Sequence, residues 1–187
     1  MTRTGFTLIE LIIVIAIIAI LATTVILVLN PAVILAEARD SQRIADLSQL
    51  NSALGLYLAT SGATLGGVDD KCYVQETSAA VAAKCGDRHP DATIGTINGR
   101  AVNGTGWIPV NFGSISGGSP LSALPVDPTS SPTLFYSYAT DKKSTFELNA
   151  DMESERYGEG GNDDMETDDG GNKTGIYEIG NAPGLSL

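Results

Sequence analysis

The run LIELIIVIAIIAILATTVILVL, Leu8 to Leu29, holds only one charged residue, Glu10, and two hydroxyls, Thr23 and Thr24. As a helix its 22 residues span about 33 Å, enough to cross a hydrocarbon core of about 30 Å. An acid buried in such a span costs roughly 2.5–3.5 kcal/mol on insertion scales, so Glu10 needs a partner or a purpose. The leader MTRTG is polar and carries Arg3, which fits an N-terminus left on the cytoplasmic side. A cleaved export signal would be followed by a small-residue site. Here the run leads straight into helix-compatible sequence, so it is expected to be retained.

Asn30-Pro31 comes next. Pro31 has no N–H to bond the Leu27 carbonyl, so a kink or local opening is expected there. Beyond it, Ile44, Leu47, Leu50, Leu54 and Leu58 recur every three or four residues. Glu37, Arg39, Asp40, Arg43 and Asp46 lie between them or on the other faces, which makes an amphipathic helix. One helix is expected from Phe6 to about Thr60, about 80 Å long, with Gly62 as its stop. Its first half is apolar all round and its second half is one-sided. That describes a stalk whose first half packs in lipid or among other stalks, and whose second half packs on its own domain.

Past residue 60 the chain is rich in Gly, Ser, Thr and Asp, which reads as a β-rich head with a modest core. Residues 62–120 hold 11 of the 21 glycines and look irregular, anchored by Trp107, Ile108, Val110 and Phe112. Cys72 and Cys85 lie in this stretch, with twelve residues between them. In an exported domain they form a disulfide worth roughly 3 kcal/mol; otherwise they are two partly buried thiols. The stretches Thr133–Thr140 and Ser144–Ala150 have strand composition, with Asp141-Lys142-Lys143 as the turn between them. Glu153–Lys173 reads as loop and Gly175–Gly180 as a short last strand. The sheet is expected to cover the stripe Ile44 to Leu58, giving an α+β head on a helical stick. The organisation is a leader at 1–5, an apolar half-helix at 6–30, an amphipathic half at 31–60 and a head at 61–187.

Formal charge is -11, and nine acids fall within Asp151–Asp169 against a single base, Arg156. Affinity for nucleic acid comes mainly from Lys and Arg on phosphates, so no direct nucleic-acid partner is expected. No nucleophile elbow, phosphate-cradling loop or H-E-x-x-H pattern occurs, and His89, the only histidine, reads as an exposed loop residue. The chain is not expected to be an enzyme.

GFTLIE followed by an unbroken apolar helix, Gly5 through about Ala22, resembles the class III signal of type IV pilins and of type II secretion pseudopilins. The resemblance implies a pilin-like α+β fold. It also implies cutting between Gly5 and Phe6 by a membrane peptidase, then N-methylation of Phe6. It gives Glu10 a partner: in that family the matching glutamate pairs with the free terminal amine of a neighbouring subunit. Such a pair acts as a register device, because docking at the wrong height buries a lone carboxylate. The plainer reading is that Glu10 snorkels to the interface. For Pro31 the resemblance implies a helix that opens when subunits leave the bilayer, beside the plain reading of a static kink.

The chain departs from the family in three ways. The best-known pilins carry their cysteine pair near the C-terminus, whereas here it follows the helix. The LPVDP stretch, Leu124 to Pro128, is similar to major pseudopilins and to pilins of related minimal systems. The glycine-rich insertion is long for a compact pseudopilin. Major pseudopilins bind calcium in a C-terminal loop, and Asp164, Glu166, Asp168 and Asp169 offer oxygen ligands there, although the EF-hand order fails. The loop is therefore either calcium-ordered or simply solvated, and no other cofactor is expected.

The expected function is the structural subunit of a type IV pilus filament. The alternatives are a major pseudopilin and a monomeric membrane-anchored binding protein. Expected partners are further copies of the chain in a helical filament, the prepilin peptidase, an inner-membrane assembly platform and motor, minor pilins and the cytoplasmic membrane. The subunit waits in that membrane as a single-pass protein and moves to the cell surface on assembly. Adhesion, motility or DNA uptake would depend on proteins outside this chain.

Overall fold

The computed structural model describes residues 5–61, 64–67, 71–75, 88, 89, 93–95, 99–141, 143–182 and 184. The chain divides into two compact units, Met1–Ala36 and Glu37–Leu187.

The first unit is helical. Helix α1, Leu8–Leu29, ends at Asn30, which adopts the left-handed conformation (φ 35°) that stops a helix. Helix α2, Pro31–Ser61, starts at the very next residue. Proline suits a first helical position because its missing N–H would have no partner there. The amides of Val33 and Ile34 donate to the Asn30 carbonyl at 3.0 and 3.4 Å, so Asn30 closes one helix and opens the next. The single helix expected from Phe6 to Thr60 is corrected to two helices with a one-residue break. Leu8–Ile26 is long and apolar enough to cross a membrane (mean hydropathy 2.9), and none of it is buried within the chain.

The second unit packs α2 against a sheet. Its strands are β1 Lys71–Val74, β2 Thr93–Ile94, β3 Ser137–Thr140, β4 Phe146–Ala150 and β5 Tyr177–Gly180. They lie in the order β2-β1-β3-β4-β5. The β1, β3, β4 and β5 pairings are antiparallel, and the short β2 adds a parallel edge to β1. The α+β architecture expected from the sequence is the one observed.

Register sorts the side chains by face, because alternate strand residues point opposite ways. Tyr73, Tyr138, Leu148 and Ile179 stand in one row. With Phe146, Ala150 and Tyr177 they face the α2 residues Leu47, Leu50, Ala53, Leu54 and Tyr57. Leu47, Leu50 and Leu54 are fully buried, while Ile44 and Leu58 are partly buried at the ends of the stripe. Trp107, Ile108, Val110 and Phe112 are buried in the same core, as expected, and the Trp107 indole donates to the Pro125 carbonyl at 2.9 Å.

Several local expectations change. β3 begins at Ser137 rather than Thr133, because Ser131 and Thr133 are spent on a turn in which the Leu134 amide donates to Ser131. β1, β2 and a short 3₁₀ turn at Phe112–Ser114 lie inside the stretch read as irregular. His89 is fully buried rather than exposed: it sits on the outer face of the sheet, its Nε2 3.4 Å from Asn149 Nδ2. Beside it the Arg88 guanidinium is buried too, donating to the Phe135 and Thr133 carbonyls and stacking on the Phe135 ring at 3.6 Å.

Candidate functional site

The N-terminal end of α1 is built by four residues. Thr7 is the N-cap, and its hydroxyl accepts from the Glu10 amide at 3.4 Å. The Glu10 carboxylate reaches back, accepting from the Thr7 amide at 2.8 Å and from the Thr7 hydroxyl at 2.7 Å. This reciprocal capping box satisfies donors that the first turn of a helix otherwise leaves open. It also places a negative charge at the positive end of the helix dipole. Gly5 and Phe6 precede the cap outside the helix, and Phe6 is 86 % exposed. Glu10 therefore has a partner within its own chain, and the Phe6 side chain is exposed. Sequence reasoning assigned Thr7 no role, although Thr-x-x-Glu before an apolar run is a readable capping signal.

The acidic loop is ordered from inside. Asp164 accepts from the amides of Gly160, Glu166 and Thr167, which hold its carboxyl down at about 2. Glu166 is buried, which pushes its carboxyl up to about 7 even though the Met152 and Glu159 amides donate to it. Asp169 accepts from the Gly171 amide at 2.7 Å and from the Glu178 amide. Each of these three carboxylates thus accepts from at least two backbone amides. Among the described residues no three acidic, histidine or cysteine side chains are grouped to hold a metal ion.

A third cluster fastens α2. Arg43 is fully buried and forks onto Asp127 at 2.6 and 3.0 Å, with Asp40 at 2.7 Å. Burial alone would lower its pKa, but Asp127 and then Asp40 outweigh it and raise it. Asp40 is also fully buried, accepting from the Glu153 and Ser154 amides. Arg39 makes a bidentate pair with Glu153, which lowers the Glu153 pKa. The sequence places the charged residues of α2 between its apolar positions or on the other faces. Two of them, Asp40 and Arg43, are buried instead, because the LPVDP stretch and the chain after β4 bring them partners.

Two comparisons find nothing: no curated protein and no solved structure matches the chain. The third, with family models, matches residues 1–26 to the prokaryotic N-terminal methylation motif. The chain carries that motif.

The methylation motif covers Gly5, Phe6, Thr7, Glu10 and most of α1, so the capping box lies wholly inside it. It supports a type IV pilin-like or pseudopilin-like substrate, a class of structural subunits. It implies processing by the prepilin peptidase and assembly into pilus-like complexes, and α1 is consistent with anchoring in a membrane before that step. Pro31 lies beyond the motif and is the first residue of α2. Cys72 is fully buried on β1, and its expected partner, Cys85, lies outside the described residues.

Proposed function

We propose that this chain is the structural subunit of a type IV pilus filament. It is made as a precursor, cut between Gly5 and Phe6, methylated on Phe6, held in the cytoplasmic membrane by α1, and polymerised through that helix into a surface fibre. One observation carries this reading: a methylation motif sits on a helix whose apolar side chains are exposed all round, with its one acid at the N-terminal turn. The head is folded without α1, so the large side chains from Leu8 to Ile26 have no covering in their own unit. Lipid covers them first, and other copies of α1 cover them in the fibre.

In this reading Glu10 exchanges partners. In the stored subunit its charge is met by Thr7. After cleavage the Phe6 amine, cationic near neutral pH with a pKa of about 7.7–8.0, becomes available to the Glu10 of a neighbour. In a low-dielectric bundle such a pair is strongly attractive, and either charge alone is costly. The peptidase, platform, motor and minor pilins supply the rest. Mass spectrometry of the mature protein tests the reading. N-methylated Phe6 is the expected terminus, and an intact Met1 or a cut further along rejects it.

A second reading, the major pseudopilin of a type II secretion system, draws on the LPVDP stretch, whose Asp127 is the residue that clasps Arg43. Deletion separates the two. Loss of long surface fibres supports the pilus, and intact fibres with secreted proteins retained inside the cell support the pseudopilus.

A further inference from the structure

The pattern Asn-x-Thr occurs twice in the chain, at Asn103-Gly104-Thr105 and at Asn172-Lys173-Thr174. In an exported protein this spacing is an acceptor signal for N-linked sugar, but it is short and common by chance. The structure separates the two copies.

Asn103 and Thr105 are both exposed at the tip of a turn. The base of that turn is fixed. Asn103 bridges to Asn111, the Phe112 amide donates to the Val102 carbonyl at 2.8 Å, and the Trp107 amide donates to the Gly99 carbonyl at 2.9 Å. Trp107 and Phe112 seat it in the core. Gly104 takes φ 92°, a conformation that favours glycine, and the chain folds Thr105 back onto Asn103. The Asn103 carboxamide is engaged on its oxygen: Oδ1 accepts from the Thr105 hydroxyl at 2.7 Å and from the Thr105 amide at 3.2 Å. Among the described residues nothing accepts from its Nδ2. At Asn172 the nitrogen is spent instead, because Nδ2 donates to the Gly184 carbonyl at 3.1 Å.

Charge separates the two copies as well. Residues 92–126 contain no aspartate or glutamate, although the chain holds 22 acids. Asn172 follows Asp163, Asp164, Glu166, Asp168 and Asp169. Sugars activated for transfer are carried on a diphosphate, and its negative charge is repelled by the second surrounding and not by the first.

We propose that Asn103 is an N-glycosylation site whose donor is an oligosaccharide linked through diphosphate to a membrane lipid.

An amide nitrogen is a poor nucleophile, because its lone pair is shared with the carbonyl. As one Nδ2 proton leaves to a base of the transferase, negative charge builds on Oδ1, where the two Thr105 donors already stand. Nδ2 then bonds to the sugar C1, the C1–O bond breaks with its electron pair, and the lipid diphosphate departs. The lipid form of the donor rests on the reading above, in which the head lies outside the cytoplasmic membrane, away from nucleotide-linked sugars.

The test is peptide mapping by mass spectrometry of the subunit taken from the cells that make it. A sugar mass on Asn103, located by electron-transfer fragmentation, is expected, with none on Asn172. Asn103→Gln and Thr105→Val are expected to abolish it, whereas Thr105→Ser keeps the hydroxyl and is expected to retain it. Depletion of polyprenyl phosphate in the cells is expected to lower occupancy, and unchanged occupancy overturns the choice of donor. A bare Asn103 on chains that begin at methylated Phe6 overturns the site and leaves the filament reading standing. Sugar on Asn103 of chains that keep Met1 supports the site and rejects the filament reading. Full occupancy in Thr105→Val, or sugar on Asn172 in place of Asn103, also overturns the proposal.

Discussion

The two units of this chain keep their apolar residues in opposite places. In α1, Ile9, Leu11, Ile12, Ile15 and Ile18 are all more than half or about half exposed, and no part of the span from Leu8 to Ile26 is buried. In the head, Leu47, Leu50, Leu54, Trp107 and Phe112 are fully buried in one continuous core. The polar residues invert as well. The head buries Asp40, Arg43, Glu147 and Glu178, whereas α1 keeps its only acid at its first turn. A core satisfied from within makes the head an independent folding unit. A helix with no internal covering takes its stability from what surrounds it. The same residue types thus serve internal packing in one unit and association in the other.

The comparison predicts a graded series. The largest effects belong to the buried interior of the head: Leu50→Ala should cost about 2–5 kcal/mol in thermal unfolding of the micellar full chain. Ile15→Ala should leave that transition in place and weaken filament assembly alone. A loss of head stability from Ile15→Ala would break the division between the units. Next comes Arg43→Met, which strands Asp40 and Asp127 as buried carboxylates and should cost about 3–5 kcal/mol. Adding Asp127→Leu to it should recover part of that loss, and no recovery would mean that Arg43 acts through its aliphatic stem.

The third prediction concerns pH. Glu166 has a higher pKa folded, about 7, than the 4.5 of an unfolded chain, so its proton favours the folded state. That contribution is complete below about 4.5 and is lost as pH rises through about 7, so the head should melt progressively earlier across this window. Glu166→Gln should flatten that trend. Asp164 has the opposite sign: held down to about 2 from 3.8, it stabilises above that range and is lost as acid protonates it. Asp164→Asn should therefore blunt only the acid limb of the melting profile. The smallest effect is expected at the helix cap. Thr7→Ala removes the cap and should cost about 1 kcal/mol of local helix stability, visible as fraying of residues 8–11 by NMR in micelles. Head melting should not change.

The stripe along α2, the Trp107–Phe112 anchor and the β3–β4 hairpin were legible because each is local: a period of three or four, a cluster of large apolar residues, a turn between strands. The methylation motif was legible for the same reason. What escaped reading depends on distant partners. Asp40 and Arg43 look like ordinary helix-surface charges until Asp127 and Glu153 close on them. β1 is four residues long, and its pairing with the distant β3 and β2 is what makes it a strand. His89 reads as a loop residue because nothing near it in sequence announces Asn149 and Glu147. Glu147 and Glu178 alternate with apolar residues as solvent-facing strand positions do, yet both are buried, with His89 beside Glu147.

The Arg43 clasp has a consequence in time. Arg43 meets Asp127 across 84 positions of sequence, and Arg39 meets Glu153 across 114. The helix emerges early and waits for most of the head to be made before its charges have anywhere to go. A chain stopped before Asp127 offers Arg43 only Asp40, and the fork onto Asp127 waits for that later segment. The order of synthesis thus makes the closing of this charge cluster a late step, since its two long-range contacts form only after loops of this length are brought together.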